Sequence, residues 1–236
     1  MLKRNISFTF IEKFITSIVG GLISIYFINY LGPDKYGVFT YLSSLVYLFG
    51  ILTFPGVNGI IIKHISQGKN SSYLISASFY LSLFTSLFAF IIMLLFINYK
   101  DSSLMMFAIF SSLTIFNTIS SVFKSYFNGM QQIDLLVKIN LIIFFIMNSM
   151  KLLAIYLQYD FLFFFQLTVL ETLLQILLFG YFFFKGNNLI INKKIFRILK
   201  IIIIESFPLF LTSLVIILYV RIDQVMIEYF IGFEQL

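Results

Sequence analysis

The chain has 236 residues, 60% of them hydrophobic and only 11% charged, with a formal net charge of +6 and a mean hydropathy of +1.01. That composition excludes a soluble globular domain and leaves room for about seven bilayer crossings of ~20 residues each. The absence of cysteine excludes disulfides and thiolate metal sites, and in so apolar a chain the basic surplus reports membrane topology rather than nucleic-acid binding.

Lys3 and Arg4 precede an apolar run that is too long for a secretory signal and has no small-residue cleavage site after it. The run is therefore read as a retained first span, residues 11–31. Gly20, Gly21 and Ser24 give it a narrow face for helix packing, and Gly32-Pro33 stops it. Span two covers 36–62. Pro55, Gly56 and Gly59 interrupt it near its far end, where a kink or broken turn is expected.

Span three covers 73–97 and span four 104–123. Residues 124–138 read as a polar connector with a turn at Asn128-Gly129. Tyr126, Phe127 and Met130 lay that connector along the headgroups. Span five covers 139–157 and span six 161–184. Residues 185–200 alternate Lys and Arg with Ile and Leu, as an amphipathic interfacial linker does. Span seven covers 201–220. The expected fold is all-α and integral to the membrane. It consists of a six-helix bundle (1–184), a cytoplasmic linker (185–200) and the first helix of a second, truncated bundle (201–236).

Basic residues concentrate on the cytoplasmic side of membrane proteins. With the N-terminus inside, twelve of the sixteen Lys and Arg residues fall on the inner side. Lys35, Lys100 and Arg221 fall outside, and Lys151 lies within a span. This orientation also puts Gly32 and Gly232 on the same outer side, as a repeat of six spans requires.

Ionisable groups in hydrocarbon are costly and usually line a cavity or pair with one another. Lys151 and Glu171 lie at similar depth on the antiparallel spans five and six. They are either an ion pair that locks two helices or cavity groups, with Lys151 supplying positive potential and Glu171 tuning it or carrying a proton. Glu205 lies before Pro208, which frees a backbone carbonyl as in helices that bend around a site. Glu205 either gates or is interfacial, reaching the headgroups or pairing with Arg197 or Lys200. Arg221, Asp223 and Gln224 either read a polar substrate or cap the helix end. His64, the only histidine, reads as a solvated flank residue. No catalytic, cofactor or metal constellation stands at workable spacing, so an enzyme is not expected. Most of the 32 Phe and 14 Tyr read as lipid-facing bulk.

Three stretches carry a family resemblance: Tyr30-Leu31-Gly32-Pro33-Asp34-Lys35-Tyr36-Gly37, Gly56 through Ser66, and Tyr219 through Gly232. They resemble the corresponding turns of polysaccharide-export flippases, the Wzx-type O-antigen translocases of the multidrug and oligosaccharidyl-lipid exporter superfamily. The resemblance implies a MATE-like fold of two six-helix bundles in the bacterial inner membrane, of which this chain would be the N-terminal half. It implies alternating-access movement of an undecaprenyl-pyrophosphate-linked oligosaccharide for O-antigen or other surface polysaccharide, with possible H+ or Na+ coupling. A cationic cavity would suit pyrophosphate and acidic sugars, with Lys151 as its cation. Implied partners are membrane lipids, the lipid-linked oligosaccharide, a polysaccharide polymerase, a chain-length regulator and the missing C-terminal bundle. A cation-coupled small-molecule exporter on the same fold and a non-transporting membrane fragment are the alternatives. Without that second bundle, residues 1–236 alone are expected not to transport.

Overall fold

The computed structural model describes residues 2–68, 71–97, 102–192 and 194–230. Lys69, Lys100, Asp101, Lys193 and Gly232 of the sequence reading lie outside them. The described residues form eight α-helices and no strand. These are α1 (Leu2–Gly50), α2 (Val57–Ser66), α3 (Ser71–Phe96), α4 (Ser102–Leu113), α5 (Asn117–Gly129), α6 (Ile133–Tyr156), α7 (Phe161–Phe184) and α8 (Lys194–Phe230). Among the described residues, six stretches are long and apolar enough to cross a membrane. The first is 47 residues long. At a rise of ~1.5 Å per residue it is about twice the thickness of the hydrocarbon layer.

That first stretch holds two crossings because α1 folds back on itself. Gly32 has φ 72° and ψ 172°, a conformation that only glycine adopts without strain. The following Pro33 has no amide proton to continue the helical ladder. The rings of Phe27 and Phe39 lie 5.3 Å apart. Twelve residues along an unbroken helix would separate them by ~18 Å. The arms 2–31 and 33–50 are therefore two sides of a hairpin, as the Gly-Pro pair led one to expect. Tyr30 Oη donates to the Tyr159 carbonyl at 2.9 Å. This places the Gly32 turn beside the turn between α6 and α7.

The second arm ends in a single 3-10 turn at Ile51–Thr53. Phe54 then takes a left-handed conformation (φ 55°, ψ 63°), and Pro55-Gly56 leads into α2 as a separate short helix. The expected kink is thus a complete break. The cause of the tight junction is Gly56: a Cβ there would stand 2.7 Å from the Ser206 carbonyl oxygen and 2.8 Å from Leu209 Cβ. The glycine lets the loop lie directly on α8.

Three expectations need correction. The fourth span does not end at Phe123. α4 passes through a 3-10 turn at Thr114–Phe116 into α5, which continues to Gly129. The residues read as a headgroup connector are therefore mostly helical, and Tyr126 and Phe127 are buried. The turn falls at Met130–Gln132 instead, with Gln131 at φ 58°. The amphipathic stretch 185–200 is divided: its second part is the start of α8, which runs through Pro208 without a break. Arg221, Asp223 and Gln224 accordingly lie inside a helix and do not cap its end.

Many aromatic residues are exposed, as expected of lipid-facing bulk, among them Phe10, Phe14, Phe84, Phe88 and Tyr219, but a smaller set builds the core. Phe123, Phe164, Phe165, Phe179 and Phe183 are the largest fully buried side chains. They join two apolar clusters, one centred on α2, α3, α5, α6 and α7, the other on the second arm of α1, α3, α4 and α7. Ring pairs such as Phe123–Phe183 (5.1 Å) and Phe107–Phe165 (5.2 Å) stitch adjacent helices. Aromatic pairs add stabilisation beyond burial, which helps where lipid removes most of the hydrophobic driving force for helix association.

Candidate functional site

Between these clusters lies a cavity of about 430 Å³, built from the second arm of α1, α2, α3, α4, α5, α7 and α8. Its wall is unusually polar for so apolar a chain. α7 contributes Thr168, Glu171, Thr172 and Gln175. Their spacing of three, four and seven residues places them on one helix face. Opposite stand Ser111, Thr114, Asn117, Thr118 and Ser121 of the α4–α5 span. Tyr47, Phe39 and Phe165 supply ring surface.

Most hydroxyls in this wall donate their protons to their own helix. Ser43 donates to the Phe39 carbonyl (2.7 Å), Ser111 to Phe107 (2.8 Å) and Thr114 to Ser111 (2.6 Å). Thr168 donates to Phe165 (2.7 Å) and Thr172 to Thr168 (3.0 Å). This back-bonding is the usual way Ser and Thr satisfy themselves within a helix. It leaves the oxygen lone pairs to face the cavity. Asn58, also in the wall, has no side-chain hydrogen bond among the described residues and keeps a free amide.

A chain of polar groups leads from this wall. Gln175 Nε2 donates to Glu171 Oε1 at 3.2 Å, and Lys124 Nζ donates to Gln175 Oε1 at 2.5 Å. The Lys124 ammonium also lies 5.1 Å from the centroid of the Phe179 ring, within cation–π range. One amide thus separates a cation from an anion and bonds to both. Nearby, buried Glu12 accepts from Asn140 Nδ2 at 2.9 Å, which ties the first arm of α1 to α6.

Lys151 and Glu171 do not form an ion pair among the described residues. Glu171 is taken up by Gln175, and the Lys151 ammonium sits over the Phe27 ring at 5.3 Å. Lys151 stays within electrostatic reach of Glu171 but is not among the described residues of the cavity wall. Glu205 pairs with neither Arg197 nor Lys200. Its Oε2 lies 2.8 Å from His64 Nε2 and 3.7 Å from Lys63 Nζ, which clamps α2 to α8. His64 is 4% exposed, so the solvated flank expected for it is corrected to a buried one. Pro208 is exposed on α8, one turn beyond Glu205. Pro55 lines the cavity. Gly56 lies against α8.

Arg221 lies 4.4 Å from the centroid of the Tyr47 ring and donates to Gln224 Oε1 at 3.3 Å. Gln224 also accepts from Ser44 Oγ. This pair therefore fastens α8 to the second arm of α1. Asp223 is exposed and, among the described residues, bonds only the neighbouring backbone at Gln224.

Lys124, Gln175 and the hydroxyl wall were not singled out in the sequence. Lys124 reads as a flank when span four is ended at Phe123. The usable signal was the repeat of polar residues at 117, 120, 121 and 124, and again at 168, 171, 172 and 175, within otherwise apolar stretches. Such spacing marks one polar helix face.

Long apolar helices around an open-sided, hydroxyl-lined cavity, with a half-buried charge relay at its side, define a multi-pass, all-α integral membrane protein. The chain belongs to the polysaccharide biosynthesis protein family, whose family model matches residues 2–236. No curated protein and no solved structure gives a significant match.

Proposed function

We propose that the chain forms one wall of a transporter that moves undecaprenyl-pyrophosphate-linked oligosaccharide across the bacterial inner membrane by alternating access, for O-antigen or other surface polysaccharide. The resemblance to Wzx-type flippases implies a second six-helix bundle opposite it, and the excess of Lys and Arg on one side of the spans supports a cytoplasmic N-terminus. The observation that carries this reading is the open-sided, hydroxyl-bearing cavity between helices long and apolar enough to cross a membrane. Polar groups at membrane depth are retained where they line a substrate path. Membership of a polysaccharide biosynthesis family supports a sugar-bearing cargo.

The test uses the full chain in nanodiscs and a prenyl-pyrophosphate oligosaccharide with a photoreactive group on its terminal sugar. Labelling is expected within α5 and α7 and should be competed by unlabelled lipid-linked sugar. Labelling confined to the outer, lipid-facing residues of α8 would remove the cavity from the account. A second reading, a cation-coupled exporter of small molecules, draws on Glu171, the one charged residue among the described residues of the wall. In that case small organic cations would block the labelling and lipid-linked sugar would not.

A further inference from the structure

We infer that the cavity selects uncharged saccharide units and disfavours those that bear a carboxylate or phosphate on the sugar. This rests on the lipid-linked-oligosaccharide reading above and specifies the sugar class.

The argument is one of donors and acceptors. Hydroxyls such as Ser43, Ser111, Thr114, Thr168 and Thr172 have committed their protons to backbone carbonyls of their own helices. What they present to the cavity is acceptor capacity. A carboxylate or phosphate is also acceptor-only when ionised. Its donors in this wall are confined to the amides of Asn58, Asn117 and Gln175 and the hydroxyls of Tyr47 and Ser82, and it would meet Glu171, a charge of its own sign, with no Lys or Arg among the described wall residues to offset it. A neutral sugar hydroxyl is a donor as well as an acceptor and matches the wall. The nearest cation of the relay, Lys124, is spent on Gln175 at 2.5 Å and on the Phe179 ring. Lys151 is held over Phe27, away from the lining. The volume of about 430 Å³ falls within the ~300–1,000 Å³ that small-ligand sites occupy. The ring surfaces of Tyr47 and Phe165 offer flat apolar area to the C–H faces of a pyranose. The cavity therefore departs from the cationic one that the flippase resemblance implies.

The experiment compares two probes that differ only at one carbon: a prenyl-pyrophosphate carrying a dihexose, and the same lipid with the second hexose oxidised to a hexuronate. Binding of each to the full chain in nanodiscs is measured by equilibrium displacement of a radiolabelled dihexose lipid. The neutral probe is expected to bind at least about tenfold more tightly, the ratio set by one poorly satisfied buried polar group. Glu171→Gln should narrow that ratio by relieving the like charge. Thr168→Val should weaken the neutral probe and spare the acidic one, and Thr168→Ser should restore it. Thr168→Val preserves shape, so the inference stays testable if Glu171→Gln does not fold. Equal or tighter binding of the hexuronate probe overturns the inference and leaves the transporter reading standing. Failure of the folded chain to bind either probe removes both.

Discussion

The junction between Gly56 and α8 gives the sharpest test of the packing. In Gly56→Ala the added Cβ would stand 2.7 Å from the Ser206 carbonyl oxygen, 2.8 Å from Leu209 Cβ and 2.9 Å from the Phe210 amide nitrogen. Ordinary carbon contacts lie near ~3.5 Å, so loop and helix must part by about 0.7 Å. Two of these atoms are backbone and the third is a Cβ, so no side-chain rotation relieves the clash. The backbone at Gly56 is ordinary right-handed helix (φ −60°, ψ −22°), so the substitution carries no conformational strain and isolates the packing effect. Overpacking of this kind costs about 1–3 kcal/mol. Gly21 is the control, because a Cβ there meets nothing within 4 Å. The chain contains neither tryptophan nor cysteine, so unfolding is best followed by circular dichroism of purified protein in detergent. Gly56→Ala should melt several degrees below the wild type and Gly21→Ala close to it. If the two variants melt together, α2 and α8 do not meet as described.

Gly32→Ala should also destabilise, by about 1–3 kcal/mol, through its positive φ and not through space, because nothing lies within 4 Å of the added Cβ; the same melting measurement checks it. Gly129→Ala would place a Cβ 2.8 Å from Ile65 Cβ and should lower the melting temperature by separating α5 from α2. Gln175→Leu removes the amide between Lys124 and Glu171 and leaves both charges short of a partner. A loss of about 1–3 kcal/mol is expected, with weaker labelling by the photoreactive lipid-linked sugar. Single cysteines can be added to this cysteine-free chain at Asp34, Gln158 and Lys185. An impermeant maleimide should reach the first two from one side of the membrane and the third from the other. Labelling of Asp34 and Gln158 from opposite faces would contradict the Tyr30–Tyr159 hydrogen bond that joins their turns.

The crossings were legible because each is a long apolar run and because Gly32-Pro33 and Pro55-Gly56 are strong local breakers. Residues 161–184 are delimited by the sequence as the structure has them, since Asp160 and Lys185 bound a predominantly apolar stretch. The end of span four was not legible. Polarity at Asn117, Ser120, Ser121 and Lys124 signals an aqueous connector and a cavity-facing helix surface equally well, and only tertiary packing separates them. Depth along the helix suggested that Lys151 and Glu171 could meet. Depth does not fix which way each side chain turns, and Phe27 and Gln175 take them instead. The Glu205–His64 pair joins positions 141 residues apart, beyond the reach of any local pattern. Burial of Phe123, Phe164, Phe165, Phe179 and Phe183 was likewise hidden, because in an apolar helix the lipid face and the protein face have the same composition.

The self-contained hydroxyls of the cavity have a mechanical consequence. Ser43, Ser111, Thr114, Thr168 and Thr172, which close rings with their own helices, make no side-chain tether to the helix opposite among the described residues. Apart from the bonds of Lys124 and Ser120 to Gln175, neighbouring spans can then slide or tilt across this surface without breaking polar bonds among the described residues. The surface behaves as a bearing, and the fastenings lie at its margins, in His64 with Glu205 and in Ser44 with Gln224.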